Sequence, residues 1–448
     1  MLRLLLALVV TVVLAGPTFV GSSQSNAQSF LDAHLASAVR GIVAEASGAD
    51  SVTVVIEVSG SDLSVAYKEN VVPILKQHAS RTQAPVLDFL TENEGNVLNS
   101  FWLNNSILVE VPLDILDDIA RLPGVEDIFE NFEVTVSETA ASDVGLSSSD
   151  VTWGLDRIDA PEVWSMGVTG AGVKVAVLDT GVDVSHPDLS GRMWTDDPSD
   201  ATYPGGWIEF SGSGSIVNDS TPYDSHFHGT HTSGTVLGGN CSGTAIGVAP
   251  DATLMHALIL PNGSGSFAQV LAGMEWAINP VDQYGNPAGE PADVVSMSFG
   301  SVGYYDQMIE PIQNMVAAGV VPVASTGNEG EGTSGGPGNV YECFGIGATE
   351  STDYVASFSS GEVVDWPASF YEPYVKPDFS APGSSVLSSV PDGGYEYHSG
   401  TSMAAPHVAG VVALMLEGNS GLEVGDVYEA LRTTADDLGE PGKDIRYG

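Results

Sequence analysis

The chain has 448 residues, too many for one ordinary domain, and 43% of them are hydrophobic, enough to fill a core and to exclude a wholly disordered protein. Acidic side chains number 58 against 13 Lys and Arg, a formal net charge of −45. That balance excludes nucleic acid as a partner, because phosphate backbones demand Lys and Arg. It also points to a salt-rich setting, since such self-repulsion opposes compaction until ions screen it; an ordinary acidic secreted protein is the plainer alternative.

The amino terminus reads as a secretion signal over residues 1–27. Arg3 precedes an apolar run from Leu4 to Ala15, and Ser25-Asn26-Ala27 has the small-x-small form of a cleavage site. The run is shorter than the about 20 residues that span a bilayer, so the mature protein is expected outside the cell, without membrane contact after signal removal. No twin-arginine pair precedes the run.

Residues 28–136 form the next block. Val52–Val58 reads as a strand and Val71–Leu90 as one helix. A weak strand lies near Val97, a strand at Ser106–Val111, a helix at Leu113–Leu122 and a closing strand at Val125–Phe132. The order βαββαβ predicts a small ferredoxin-like α+β unit. Residues 137–150, SETAASDVGLSSSD, are small, polar and acidic without periodicity, the kind of exposed linker that proteases cut.

Residues 151–448 alternate strand and helix. Short apolar runs at Val173–Leu178, Leu254–Leu260, Val294–Met297 and Val321–Ala324 suit buried parallel strands, with helices expected at Phe267–Ile278 and Ile309–Ala318. The class is α/β, a mainly parallel sheet flanked by helices, with ligands expected beyond the carboxyl ends of the strands. Cys241 and Cys343 are too few for a disulfide scaffold, and pattern alone leaves open one bridge or two thiols.

Three segments carry chemistry. Val177-Leu178-Asp179-Thr180-Gly181 puts an acid just past a buried strand. His228-Gly229-Thr230-His231 offers a base. Gly400-Thr401-Ser402-Met403-Ala404 sets a serine after a glycine and before a helix read from Met403 to Leu416, with Pro406 in its first turn. Singly, each has a plain structural reading: a turn aspartate, a structural histidine, a helix cap. Together they supply a nucleophile, its base and the group that orients the base, and a helix amino terminus favours the developing negative charge.

The order Asp, His, Ser and the residues around each resemble the subtilisin-like serine proteases, and the resemblance runs from about Trp153 to the end. It implies a secreted endopeptidase with Asp179, His228 and Ser402 as triad, of the halophilic type represented by the halolysins. Ser325-Thr326-Gly327-Asn328-Glu329-Gly330 resembles the segment that holds the family's oxyanion asparagine, so Asn328 takes that role. Ser298-Phe299-Gly300 and Gly263-Ser264-Gly265 resemble the two edges that grip an extended substrate by backbone pairing. Lys376-Pro377-Asp378 to Gly383 resembles a structural segment. Residues 28–136 resemble the family's propeptide, which implies a self-processing zymogen whose own first block is an intramolecular inhibitor. Partners are then protein or peptide substrates, with a monomer as default. No cofactor is required for the chemistry.

Two departures from the family stand out. Family members commonly bind calcium through the loop after the His segment; here Cys241 stands where an oxygen ligand is usual and Asp188 matches another, so structural calcium is expected elsewhere if anywhere. The chain ends at Gly448, before the strand and helix with which the family usually closes, which suggests truncation. Two rivals remain. His226-x-His228-x-x-His231 has the spacing of a zinc hydrolase, although Thr230 stands where that pattern has Asp. A catalytically inactive binding protein on the same fold is the other.

Overall fold

The computed structural model describes residues 34–35, 37–46, 48–61, 63, 68–136, 150–366 and 371–448. The signal and all of the linker but Asp150 lie outside the described residues.

Alternation along the first strands decides the shape of the first unit. In β1 (Ser51–Val58), Val54, Ile56 and Val58 face the unit's own helices while Val55 faces away. The unit is completed by α1 (residues 37–45), α2 (Val71–Thr82), α3 (Ala84–Glu92), β2 (Asn96–Phe101), β3 (Ser106–Pro112), a short α4 (Leu116–Ile119) and β4 (Val125–Glu130). β3 behaves as β1 does: Ile107, Val109 and Val111 fill the unit's core and Leu108 points outward. The four strands pair antiparallel in the order β2-β3-β1-β4, a split βαβ arrangement. A sheet apolar on both faces must be covered on both, and the second cover comes from the rest of the chain.

Two expectations fail here. The helix expected over Val71–Leu90 is broken at Gln83, because Pro85 lacks an N–H and its ring collides with the carbonyl four residues back. The strand expected to close at Phe132 ends at Glu130. The chain turns through Asn131 and Phe132 and starts a new strand, β5 (Glu133–Val136), in another sheet. The Phe132 ring drives that turn by packing against Phe267 at 4.9 Å and Tyr305 at 4.5 Å.

The remaining elements follow in chain order: α5 (Trp153–Arg157), α6 (Ala160–Ser165), β6 (Lys174–Asp179), β7 (Trp207–Glu209), α7 (His228–Leu237), β8 (Thr253–Leu258), β9 (Ser264–Ser266) and α8 (Phe267–Ile278). Then come β10 (Val294–Met297), β11 (Phe299–Val302), α9 (Ile309–Ala317), β12 (Val321–Ser325), β13 (Gly335–Gly336), β14 (Phe344–Thr349), β15 (Glu362–Val364) and β16 (Tyr374–Lys376). The chain closes with β17 (Phe379–Pro382), β18 (Val386–Val390), β19 (Gly394–His398), α10 (Thr401–Gly418) and α11 (Val424–Thr434).

Seven strands make one parallel sheet in the order β17-β14-β12-β10-β6-β8-β7. Its core is continuous above and below, and α8 with α9 covers the outer face of the first unit's sheet. From β6 the chain steps to β8 on one side and later to β10 on the other. That reversal opens a crevice at the carboxyl ends of β6 and β10. The α/β architecture expected from the apolar runs is present. β7, β14 and β17 were not read from sequence; in β14, Phe-Gly-Ile-Gly-Ala-Thr, the glycines dilute the apolar run. Both cysteines are free thiols, Cys241 exposed and Cys343 buried.

Candidate active site

Asp179 closes β6, and its side chain is fully buried, as are those of His228 and Ser402. The chain leaves β6 through Gly181 at φ +109°, where a Cβ would sit 2.0 Å from the Tyr223 carbonyl. Gly229, second in α7, lets that helix press against the same turn, since a Cβ there would meet the Gly181 carbonyl at 2.1 Å. These two glycines allow His228 Nδ1 to reach Asp179 Oδ1 at 2.8 Å. The Thr180 N–H donates to the same oxygen at 2.7 Å, and the Thr232 hydroxyl donates to Oδ2 at 3.0 Å. Burial alone would raise the Asp179 carboxyl. The charge and hydrogen bond of His228, with help from the Thr180 N–H, outweigh it and hold the group below the usual carboxylate range.

Ser402 is the second residue of α10, which packs against α7. The helix begins at Thr401, so Pro406 lies in its second turn and not in the first as the sequence suggested. A proline there supplies no N–H for the Ser402 carbonyl four residues back. The Ser298 hydroxyl satisfies that carbonyl at 2.9 Å, and the Ser402 hydroxyl in turn donates to the Ser298 carbonyl at 3.0 Å. Ser298 directly follows β10, the neighbour of β6, so serine, histidine and aspartate converge on the crevice.

Asn328 lies in the loop after β12. Its Oδ1 accepts from the Thr401 N–H and from the Thr401 hydroxyl, both at 2.9 Å. With the oxygen held by Thr401, the amide nitrogen is the donor end of the side chain. Thr401 was not singled out in the sequence; its place directly before Ser402 was the available signal.

Phe299 and Gly300 of one predicted edge and Ser264 and Gly265 of the other flank a strand of the chain itself. Phe299 and Gly300 of β11 pair antiparallel with Val136 and Thr135. On the other side Ser264 and Gly265 of β9 pair with Thr135 and Val134. Gly263, at φ +91°, sits against Val136, and a Cβ on Gly265 would strike the Ile259 carbonyl at 2.2 Å. Val134 is fully buried.

The remaining histidines do not gather. His231 Nε2 donates to the carbonyls of Val386 and Glu396, and the His226 ring stacks on Phe227 at 4.4 Å. Among the described residues no group of three or more His, Cys, Asp or Glu could hold a metal, so the zinc-type spacing has no counterpart in space. Beside the loop after α7, the side chain at the expected ligand position Asp188 is engaged within the protein. Asp188 Oδ1 accepts the Cys241 N–H and Oδ2 the Tyr395 hydroxyl, both at 2.6 Å. The carbonyls of Gly239 and Ala245 accept from Ile246 and Thr152.

No helix among the described residues is long and apolar enough to cross a membrane. Comparison with known proteins matches residues 170–448 to the subtilase family. Subtilisin J of Geobacillus stearothermophilus is 30% identical over 390 residues, 86% of this chain and 89% of that protein. Subtilisin E of Bacillus subtilis is 31% identical over 378 residues, 83% and 86% of the two. Bacillopeptidase F of Bacillus subtilis is 33% identical over 389 residues; they make up 82% of this chain but only 27% of that longer protein.

Proposed function

The chain belongs to the subtilase family of subtilisin-like serine proteases, and from that premise we propose that it is a secreted serine endopeptidase, made as a self-processing zymogen and adapted to high salt. The observation that carries the reading is the buried Asp179–His228 pair at 2.8 Å, set in one crevice with Ser402 and beside a cleft that holds a peptide strand.

In this reading His228 Nε2 takes the Ser402 proton as Oγ attacks the substrate carbonyl carbon. Asp179 keeps Nδ1 protonated and stabilises the imidazolium. The tetrahedral oxyanion accepts from the Asn328 amide and from the Ser402 N–H at the start of α10, where the helix dipole favours negative charge. His228 then protonates the departing amine, and water repeats the sequence to free the acyl group from Ser402. The proposed chemistry calls on side chains and backbone alone. A cleft that grips its occupant by backbone pairing along a strand suits internal stretches of an extended chain, hence an endopeptidase of broad range.

The zymogen reading rests on β5. Residues 133–136 occupy the cleft as a substrate strand would, and the segment expected to be cut, 137–150, follows directly. The salt reading rests on the charge of −45. At 1 M salt the Debye length is about 3 Å, so repulsion between exposed carboxylates largely vanishes. Full activity and an intact fold in salt-free buffer would overturn that part alone.

The test of the whole is expression in concentrated salt beside Ser402→Ala, followed by size and by a fluorophosphonate probe. The wild type is expected to shed the first unit and label at Ser402, while the variant stays full-length and unlabelled. A folded wild type that neither shortens nor labels would favour the inactive binding protein.

A further inference from the structure

Thr232 sits four residues after His228 in α7, one turn along the same face, and is fully buried. Its hydroxyl carries one proton and has two acceptors in reach. One is Asp179 Oδ2 at 3.0 Å; the other is the Gly229 carbonyl, three residues back in the helix, at 3.2 Å. The carboxylate is nearer, and a hydrogen bond to an ionised acceptor is the stronger. The two oxygens of Asp179 are thus used differently. Oδ1 faces His228 Nδ1 and the Thr180 N–H, whereas among the described residues Thr232 is the one donor to Oδ2.

We propose that Thr232 is a positioning residue of the triad: by holding Oδ2 it fixes the plane of the Asp179 carboxylate, so that Oδ1 stays aimed at His228. A carboxylate held at one oxygen can still rotate about its last bond; one held at both cannot without losing a donor. The hydroxyl also draws charge from the carboxylate, which sets how strongly Asp179 favours the protonated imidazole.

Other titratable groups frame this pair. His231 shares α7 and is held well below its ordinary range by burial, then by His398 and His228. His256 on β8, pushed down to about 4 by burial, is neutral at working pH and does not compete for Asp179 as a cation. Asp224 accepts from the hydroxyls of Thr180 and Thr230. His226 stacks on Phe227, which stacks in turn on His398, and His398 pairs with Glu396. None of these donates to Oδ2.

The proposal rests on the peptidase reading for its kinetic arm, so the experiment has two. First, wild type, Thr232→Val and Thr232→Ser, each expressed as the full chain and left to process, are compared on a peptide substrate across pH. Val keeps the shape and deletes the donor. It is expected to lower kcat about tenfold, to leave KM unchanged, and to move the acid limb of kcat/KM to higher pH, because the carboxylate regains charge and His228 holds its proton more tightly. Ser is expected to restore both. Second, the far-downfield proton resonance of His228 Nδ1–H is read in the full-length Ser402→Ala background, with and without Thr232→Val. It is expected to shift, and to return with Ser. A Val variant with wild-type kcat, acid limb and resonance would overturn the proposal. So would Val and Ser variants impaired alike, with lowered stability and an unmoved limb, because that is loss of packing. An inert wild type would sink the peptidase reading, while the resonance would still decide this one.

Discussion

The crevice of Asp179, His228 and Ser402 and the contact between the two units both bury acids, and they treat them oppositely. In the crevice Asp179 is surrounded by donors and titrates below its usual range. At the contact, acids of both units face one another. Glu57, Glu126 and Asp127 on the first unit meet Asp306 and Glu310 on the second. The Glu57 carboxyl is pushed well up by burial and then by Glu310, Asp127, Asp306 and Glu126. Glu310 rises to about 7 through burial, against a hydrogen bond from Asn314 and one from the Ser61 N–H. Glu275 of α8 rises to about 8 through burial, although the N–H groups of Trp102 and Leu103 donate to it at 2.5 and 2.9 Å and Lys76 lies nearby. A charge meant to stay buried is given partners; the contact leaves its charges under-compensated. On the proposed zymogen reading the contact has to come apart and tolerates that, whereas the carboxylate proposed to orient His228 does not.

The largest expected effects test the crevice. Ser402→Ala should lower kcat by about 10⁶, the scale known for loss of a subtilisin nucleophile, and should leave the chain full-length on a gel. Residual turnover near wild type would mean that the crevice is not the catalytic centre. Asn328→Ala removes one oxyanion donor and should cost about 10²–10³ in kcat with KM little changed, because the interaction exists only in the transition state. A rise in KM with kcat intact would assign Asn328 to ground-state binding instead.

Local chemistry explains what could be read from the sequence. Asp179, His228 and Ser402 each sit in a short segment whose glycines and threonines are there for close packing, so the residues proposed to carry the reaction come with their own surroundings. Gly181 and Gly229 show this, since each is needed at the one place where two backbones touch. The parallel sheet was legible where strands are unbroken apolar runs and invisible in β14, where glycine interrupts the run. β5, inside the 28–136 block, was not read as a strand because a four-residue run, Glu-Val-Thr-Val, has no signal of its own; its pairing with β9 and β11 is set by partners more than 100 residues away. The acids of the contact were legible only as net charge, since sequence does not say which carboxylates will meet. Thr232 was hidden for a simpler reason: a threonine in a helix is ordinary until its neighbour across the crevice is known.

The next effects, smaller, test the contact. Each raised carboxyl binds its proton more tightly when the units are together than when it is exposed to water, so association takes up protons. Its contribution is complete below the ordinary carboxylate range and is lost as pH rises through about 7 for Glu310 and about 8 for Glu275. After cleavage, the two pieces should therefore co-elute at pH 5 and separate by pH 8.5 at constant salt. The expected loss is up to about tenfold in affinity per pH unit for each group titrating. Affinity that is flat, or that rises with pH, would show that the contact holds its acids as firmly as the crevice does.

Glu310→Gln should give the smallest change and the sharpest contrast. The amide keeps the size of the side chain and an oxygen that can accept the Ser61 N–H, while the repulsion of Glu57 disappears. At pH 5, where the wild-type carboxyl is protonated, the variant should bind the first unit as the wild type does. At pH 8, where the wild-type carboxyl is ionised both in the complex and free, it should bind more tightly by about ten- to a hundredfold, the share of the pH-dependent loss that this one group carries. Stronger inhibition of peptide cleavage by the retained unit at pH 8, beside unchanged inhibition at pH 5, would read the same difference. Weaker retention at both pH values would mean that Glu310 works as a charged cap on the first unit, as Asp179 does for His228, and the contrast between the two regions would not hold at that residue.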